Sequence, residues 1–170
     1  MDTPSSVVKK VDPVDGSIRW YRNGFLHRED GPAVISPEGS QFWYFDGERH
    51  RDDGPAVIQS DGYQGWYKNG ERHRDDGPAS VFPDGSEAWW VNGKRHRKDG
   101  PAVICSDGYQ GWYQHGEFHR TDGPAIIKSD GTEMWLLNDR KHREDGPAII
   151  WGDDGTQEWW VDGERQPDPE

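Results

Sequence analysis

Residues 43–65 read WYFDGERHRDDGPAVIQSDGYQG, and residues 66–88 repeat the pattern as WYKNGERHRDDGPASVFPDGSEA. The units of the chain share the consensus W-Y-x-N-G-x-x-H-R-x-D-G-P-A-V-I-x-S-D-G-x-x-x. The tetrapeptide DGPA recurs every 23 residues, from 30–33 to 145–148. Self-similarity at a fixed period is the signature of a repeat architecture. The sequence therefore predicts seven copies of one 23-residue unit, the last shifted by one residue at Trp159.

Turn sequences divide each unit into short β-type runs. Pro-Ala-Val-Ile is followed by Ser-Asp-Gly, and the aromatic segment 63–68 ends at Asn69-Gly70. Asp-Gly and Asn-Gly are strong hairpin signals because these residues tolerate positive φ. No stretch has a helical period or helix caps. We predict an all-β fold, an elongated solenoid-like array of seven β-hairpin repeats in a twisted antiparallel sheet, with two strands per copy and about fourteen in all.

The repeats set the predicted domain boundaries. Residues 15–165 contain the seven repeats, residues 1–14 form an N-terminal tail or cap, and residues 166–170 form a C-terminal tail. The unit resembles the MORN repeat, a glycine- and aromatic-rich hairpin with a G-x-x-H-G-x-G turn. Residues 70–77 (GERHRDDG) lie where that turn would be, and Gly65 and Gly111 precede Trp66 and Trp112 as in the strand of that family.

The resemblance covers residues 15–165 and departs at H-R-x-D-G-P-A, where MORN repeats have H-G-x-G. We identify the chain as a MORN-like variant. The resemblance implies an array of hairpins. MORN arrays are mostly scaffolds and some bind lipids, so it also implies a role in assembly.

Composition narrows the function classes. The 170 residues carry a net charge of −12, so a basic stripe for nucleic acid or anionic lipid is missing. Ten Trp and six Tyr argue against disorder. A single cysteine, Cys105, fits a reducing compartment, and no run of residues is apolar enough for a signal peptide or a membrane span. We expect a cytoplasmic protein with no direct contact to nucleic acid and no membrane insertion.

The reactive side chains are copies in turns and do not form one set of unlike groups. Catalysis needs a nucleophile, a base and an orienting group that converge. Cys105 is unique, but no cationic neighbour activates it. We predict no enzyme activity, no catalytic residue and no cofactor.

Histidines recur 23 residues apart, each followed by arginine, from His27-Arg28 to His142-Arg143. Equivalent residues lie two strand spacings apart, about 9–10 Å, whereas zinc ligands lie about 2 Å from a shared ion. We expect no metal site, and a histidine that packs on a Trp of the adjacent unit and hydrogen-bonds a loop carbonyl. The structural set comprises Trp43, Trp66, Trp89, Trp112, Trp135, His50, His73, His96 and His119.

Each of these arginines lies two residues before the aspartate of DGPA. An ion pair with that aspartate, with stacking on Trp, would brace the loop. The alternative is an arginine ladder that captures phosphates or acidic chains.

Acidic residues exceed what the turns require. Of 32 acids, 13 occupy recurring turn positions, and the other 19 serve either a basic partner or the solubility of an exposed sheet. Aromatic residues that flank the Trp row point to the opposite face by strand alternation and must meet another element or a partner. The predicted partner-binding residues are Tyr44, Tyr63, Tyr67, Trp90, Tyr109, Tyr113, Glu71, Glu87 and Glu117.

These features favour a non-enzymatic protein-binding repeat module. Its most concrete form is an acidic cytoplasmic inhibitor or immunity-type protein that neutralises a basic partner such as a nuclease toxin, because negative charge speeds the capture of such a partner. The alternatives are a MORN-like scaffold for protein assembly and a phage or structural repeat protein whose repeats stack end to end.

Overall fold

The computed structural model describes residues 6–168. The chain divides into two units, Met1–Pro83 and Asp84–Glu170, and each is described by itself. Residues 1–5 of the predicted N-terminal tail and residues 169–170 of the predicted C-terminal tail lie outside the described residues. No described residue is helical, so the predicted fold class, an all-β array of antiparallel hairpin repeats, is confirmed.

Short strands make up both units. The first unit has β1 (Val8–Val11), β2 (Ile18–Arg22), β3 (Phe25–Leu26), β4 (Val34–Ile35), β5 (Gln41–Phe42), β6 (Tyr44–Phe45), β7 (Glu48–Arg49), β8 (Val57–Ile58), β9 (Gln64–Gly65), β10 (Tyr67–Lys68), β11 (Glu71–Arg72) and β12 (Ser80–Val81).

The second unit continues the same pattern. Its strands are β13 (Glu87–Ala88), β14 (Trp90–Val91), β15 (Lys94–Arg95), β16 (Val103–Ile104), β17 (Gln110–Gly111), β18 (Tyr113–Gln114), β19 (Glu117–Phe118), β20 (Ile126–Ile127), β21 (Glu133–Met134), β22 (Leu136–Leu137), β23 (Arg140–Lys141), β24 (Ile149–Ile150), β25 (Gln157–Glu158), β26 (Trp160–Val161) and β27 (Glu164–Arg165).

Two kinds of pairing alternate along the chain. A main sheet runs in the order β1-β2-β4-β5-β8-β9-β12 in the first unit, where β3 also pairs with β2, and β13-β16-β17-β20-β21-β24-β25 in the second. Side hairpins branch from it, such as β6–β7 and β10–β11 in the first unit and β18–β19 in the second. All the pairings described within the units are antiparallel, and in the main sheet Phe42 lies opposite both Val34 and Val57.

Internal repeats therefore have four strands, and the prediction of two per copy is wrong. The long strand changes partner at its tryptophan. The Trp43 N–H donates to the Ala56 carbonyl at 2.8 Å, and the Trp43 carbonyl accepts from the His50 N–H at 3.2 Å. Residues before Trp43 thus pair in the main sheet, while residues after it pair with β7. This change of partner cannot be read from turn signals, which mark only where strands end.

The hairpin turns follow the sequence closely. Asn69 and Gly70 have φ of 50° and 80°, the two positive values of a type I′ turn. In the sixth repeat, Asn138 and Asp139 take φ of 50° and 63° in the same turn without a glycine. Asparagine and aspartate tolerate this region better than other non-glycine residues. The prediction that Asn-Gly marks a hairpin turn is confirmed.

The core is thin and lies on one face of the main sheet. In the first unit Ala56, Val57, Tyr63 and Tyr67 form a buried cluster. Gly65 is central to it, since a Cβ there would lie 2.9 Å from the Tyr63 hydroxyl and 3.0 Å from a ring atom of Tyr67. The two rings pack closely only because this position has no side chain.

Candidate partner-binding surface

Six loops with the sequence H-R-x-D-G-P-A, which we call the Arg loops, share one internal brace. They span residues 27–33, 50–56 and 73–79 in the first unit and 96–102, 119–125 and 142–148 in the second. In the loop 50–56, the Arg51 guanidinium lies 4.1 Å from the Trp43 ring centroid. Its Nε donates to Asp53 at 2.8 Å and its Nη1 to the Pro55 carbonyl at 3.3 Å.

This brace confirms the predicted ion pair and the predicted stacking on Trp. The stacking recurs in all six loops at 3.9–4.2 Å. The loop glycine allows it, because a Cβ at Gly54 would lie 3.1 Å from the Arg51 Cζ. The arginines are therefore occupied within their own loops, which leaves them little freedom to capture phosphates, the alternative that the sequence left open.

One loop departs from the pattern. Arg97 stacks on Trp89 at 3.9 Å and donates to the Pro101 carbonyl at 3.1 Å. Among the described residues, however, it makes no ion pair with Asp99. Gly100 takes a φ of 139°, whereas no other DGPA glycine has a positive φ in the described residues. The fourth loop therefore keeps the stacking of Arg97 on Trp89 and the hydrogen bond to Pro101, but it lacks the ion pair with the aspartate.

The histidine rings join each loop to the next hairpin turn. His27 is fully buried, and its Nδ1 accepts from the Asp46 N–H at 3.0 Å. Its Nε2 lies 3.2 Å from Glu29, and its ring centroid lies 4.6 Å from that of Phe45. The prediction of a bond to a loop carbonyl and packing on an adjacent Trp is wrong here. The ring accepts from a backbone N–H, and its aromatic neighbour is phenylalanine.

The other predicted structural histidines and tryptophans occupy equivalent places. His50 and His96 each accept at Nδ1 from a turn N–H, at 3.1 and 3.2 Å. Burial, then the nearby His115 and Lys98, lowers the pKa of His96. The tryptophans are half-buried, and each donates its backbone N–H to the alanine carbonyl of the following loop. The remaining members of the set share the backbone pattern, in which each histidine N–H donates to the carbonyl of its tryptophan; they are His73, His119, Trp66, Trp89, Trp112 and Trp135. The His119 Nδ1 lies 2.8 Å from the Asn138 Oδ1.

The Arg loops of the first unit carry two acids each, a set that we call the acidic edge. It consists of Glu29, Asp30, Asp52, Asp53, Asp75 and Asp76. Their side chains are 67–84% exposed. The hydrogen bond from the loop arginine lowers the pKa of Asp30, Asp53 and Asp76. These three aspartates are therefore charged and held in position by their arginines.

Clefts separate successive Arg loops in the first unit. One of about 710 Å³ has Trp43, Tyr44 and Phe45 among its lining residues, together with the four acids of the first two loops. A second, of about 570 Å³, is lined by Trp66 and Lys68 and by the acids of the second and third loops. Each cleft combines aromatic carbon with a carboxylate rim.

The second unit has a comparable cleft of about 770 Å³. Trp135 and Leu137 line it, with the loops 120–124 and 142–145 on either side. Three acids line this cleft, Asp122, Glu144 and Asp145, because Thr121 precedes the DGPA aspartate of the fifth loop. In the fourth loop, which does not line the cleft, the equivalent residue is Lys98.

Three of the predicted partner-binding tyrosines are buried, so the prediction that they line an exposed surface is wrong. Tyr63, Tyr67 and Tyr113 are only 6–9% exposed. The physical reason is the glycine between each tyrosine pair, since Gly65 and Gly111 leave room for the rings to fold onto the sheet. Half-buried positions are taken by Tyr44, Trp90, Tyr109 and Glu87, whereas Glu71 and Glu117 are exposed in β11 and β19.

Arginines that the sequence reasoning missed cover these tyrosines. Arg49 Nε donates to the Tyr44 hydroxyl at 3.3 Å, and Arg72 Nε donates to the Tyr67 hydroxyl at 2.9 Å. In the second unit Arg95 Nη1 donates to the Tyr113 hydroxyl at 3.2 Å. The sequence signal for these arginines is the basic residue two positions after the hairpin glycine. The aromatic row is thus covered by its own chain.

Several further features bear on chemistry. Within residues 6–168, no group of three or more His, Cys, Asp or Glu side chains could hold a metal ion. Burial raises the pKa of the Cys105 thiol, as do Asp107 and Asp84. No helix in the described part of the chain is long and apolar enough to cross a membrane.

Neither a protein-family model nor a curated protein matches the chain. The MORN resemblance therefore stays a prediction.

Proposed function

We propose that this chain is a non-enzymatic binding module that captures a basic protein, and that the acidic edge of the first unit is its contact surface. The observation that carries the proposal is the set of six exposed carboxylates in three consecutive Arg loops. The braces hold the loops in place, so binding costs little conformational entropy.

Half of these acids lie outside the arginine brace, although each lies 3.1–3.3 Å from the histidine Nε2 of its own loop. The DGPA aspartate is engaged by arginine in the first three loops. The residue before it is Glu29, Asp52 or Asp75 in the first unit, but Lys98 or Thr121 in the second, where the loop still forms. The loop therefore tolerates a base or a hydroxyl at this position, and the three extra acids supply charge for a partner.

The clefts suit basic side chains. A lysine or arginine that enters the cleft at Trp43 would bring its methylenes against aromatic carbon and its charge between Glu29, Asp30, Asp52 and Asp53. Both cation–π attraction and ion pairing favour this placement. Aromatic anchors within a polar rim are typical of protein-binding surfaces.

The biological form that we propose is an acidic inhibitor or immunity-type protein that covers the basic surface of a partner such as a nuclease toxin. The net charge of −12 would steer that partner to the module and would partly mimic nucleic acid. A scaffold for protein assembly is the alternative, and it needs no preference for basic ligands.

The test uses a short oligolysine as the probe and a short oligoglutamate as its negative control, with binding measured by interferometry at low and high ionic strength. In the loop variant, Glu29→Gln, Asp52→Asn and Asp75→Asn remove three charges while the braces stay intact. We expect this variant to bind oligolysine about tenfold more weakly, mainly through a slower association rate.

A matched variant removes three charges elsewhere in the same unit, through Glu38→Gln, Glu48→Gln and Asp61→Asn. We expect it to lose no more than about twofold in affinity, because screening weakens charges that lie away from the contact. An equal loss in the two variants would reduce the effect to net charge and overturn the assignment of the surface. Equal binding of oligolysine and oligoglutamate would favour the scaffold.

A further inference from the structure

Strand β1 of the first unit and strand β25 of the second unit each have one unpaired edge. Within the described residues β1 pairs only with β2, and β25 pairs only with β24. Val8 and Val11 on β1 are 48% and 63% exposed. An open strand edge presents unpaired N–H and C=O groups and is a template for another chain.

Strands β1 and β25 correspond to the two strands of an internal junction, β24 and β21. The turn after β1 has bonds from Asp12 N–H to the Ser17 carbonyl and from Gly16 N–H to the Asp12 carbonyl. The turn after β24 has the same two bonds, at Trp151–Thr156 and Gly155–Trp151. This match makes Lys9, Lys10 and Val11 the counterparts of Ala148, Ile149 and Ile150. Strand β1 therefore occupies the position in the repeat that β24 occupies.

Junctions between repeats within each unit follow one register. Met134 lies opposite Ile149 and Glu133 opposite Ile150, while Phe42 lies opposite Val57. The tryptophan that follows the first strand of the junction donates its N–H to the carbonyl of the alanine that precedes the second strand, as Trp135 does to Ala148 at 2.8 Å. No carbonyl among the described residues accepts from the Trp159 N–H, so β25 offers the same donor to an incoming strand.

Applying this register to β25 of one copy and β1 of another places opposite charges together. Glu158 would lie opposite Lys10, and Gln157 opposite Val11, as Gln41 lies opposite Ile58 within the first unit. The Glu158 carboxylate is held by the indole N–H groups of Trp151 and Trp160, at 3.2 and 2.8 Å.

The surroundings of Lys10 favour an ion pair with such a carboxylate. Its registered partner in β2 is Arg19, a like charge, and like charges directly opposite are destabilising. Arg19 is already paired with Asp12 and Asp15 at 2.8 and 2.6 Å. Within residues 6–168 Lys10 makes no ion pair and only lies over the Tyr21 ring at 5.5 Å.

The same charges select against other pairings of the ends. Two β1 strands would oppose lysines, and two β25 strands would oppose glutamates. Lysine on an edge strand ordinarily blocks edge-to-edge association. In this chain Lys10 disfavours the pairing of two β1 edges. The β25 edge, which carries Glu158, has the complementary charge.

We propose that copies of this chain associate head to tail, with β1 of one copy added to the outer edge of β25 of the next in the register of the internal junctions. Glu158 then pairs with Lys10, and the Trp159 N–H donates to the Lys9 carbonyl. Such a heterologous contact leaves an open edge at each end of the assembly and can repeat. The proposal does not depend on the proposed function, because the acidic edge takes no part in it.

Sedimentation velocity of the full chain over a range of concentrations tests the contact. We expect species of two or more 19.5 kDa chains to increase with concentration. The single variants Lys10→Glu and Glu158→Lys should each weaken association about tenfold or more, because each opposes like charges at the junction. An equimolar mixture of the two variants should associate again, since each chain then offers the other a complementary end.

Recovery in the mixture also shows that both variants are folded. A monomer at every concentration would overturn the proposal. So would association that neither substitution reduces, or variants that stay monomeric when mixed although their circular dichroism matches that of the parent. Loss of oligolysine binding by the loop variant, with association unchanged, would leave this inference intact and would concern only the proposed function.

Discussion

The Arg loops of the two units share one brace but differ in charge. In the first unit each loop carries two acids, while the fourth and fifth loops of the second unit have Lys98 and Thr121 at the variable position. The guanidinium nevertheless lies about 4 Å from its Trp ring in every loop. Stacking is therefore what the loop requires, and the charge at the variable position is available for function.

The fourth loop takes the comparison further. Arg97 makes the stack and the Pro101 contact but has no ion pair with Asp99 in the described part of the chain. The carboxylate thus contributes to the brace without being essential for the loop to form. Variants at equivalent positions of the two units can separate the contributions of stack, ion pair and surface charge.

The largest effect is expected from removing the stacking platform. Trp66→Ala in the first unit and Trp112→Ala in the second should each lower the free energy of unfolding by about 3 kcal/mol, at the lower end for a Trp truncation because the rings are half-buried. Urea denaturation followed by circular dichroism measures both. A loss below about 1 kcal/mol in either would contradict a shared structural role for the Trp row.

A smaller effect should separate the fourth loop from its neighbour. Arg120→Lys keeps the charge but removes the Nε bond to Asp122 and the Nη1 bond to Pro124, so we expect a loss of about 1–2 kcal/mol. Arg97→Lys loses an equivalent guanidinium stack but only one hydrogen bond, to Pro101, and should cost less. Equal losses in urea melts would mean that the Arg120–Asp122 pair adds nothing.

Acid stability should distinguish the same two loops. The hydrogen bond from Arg120 lowers the pKa of Asp122 below its ordinary value of 3.8. A depressed pKa in the folded state gives stability that is present above the unfolded pKa and is lost as pH falls through the folded pKa. Below about pH 4, Asp122→Asn should therefore flatten the fall in stability more than Asp99→Asn does, because Arg120 pairs with Asp122 whereas Arg97 makes no ion pair with Asp99 among the described residues. Melting temperatures from pH 6 to 2 provide the comparison, and identical slopes would contradict it.

The smallest effect on stability should come from adding charge to the second unit. Lys98→Glu creates an acid pair like those of the acidic edge and should change the free energy of unfolding by less than about 0.5 kcal/mol. Association with oligolysine should become about twofold faster at low ionic strength. Lys94→Glu, in the hairpin β14–β15, serves as the control with the same charge change. An equal gain in the control would show that only net charge matters.

Much of the fold was predictable because local chemistry decides it. The 23-residue period, the Asn-Gly and Asp-Gly turns and the brace of Arg with Asp all depend on residues close in sequence. The division of each long strand at its tryptophan was not predictable, since it depends on a hydrogen bond from Trp43 to Ala56, which lies beyond the side hairpin β6–β7. The burial of Tyr63 and Tyr67 depends on the space above Gly65, which only the packed sheet defines.

The sequence predicted an acidic surface for a basic partner, but it did not predict which residues form that surface. Surplus acids indicated a basic partner, yet the sequence assigned them to Glu71, Glu87 and Glu117 beside the tyrosines. The structure buries part of that aromatic row and instead brings acids together with Trp43 in the clefts between Arg loops. Contacts between repeats determine this grouping, and a consensus drawn from single units does not contain them.

The most direct test of the acidic edge is an NMR titration of the full chain with oligolysine, followed through backbone amides and tryptophan indole N–H signals. We expect the largest shifts in loops 27–33, 50–56 and 73–79 and at the indoles of Trp43 and Trp66, with smaller shifts in loops 96–102 and 119–125. Shifts centred on the hairpin of Tyr67 and Glu71, or spread evenly over the Arg loops of both units, would contradict the account.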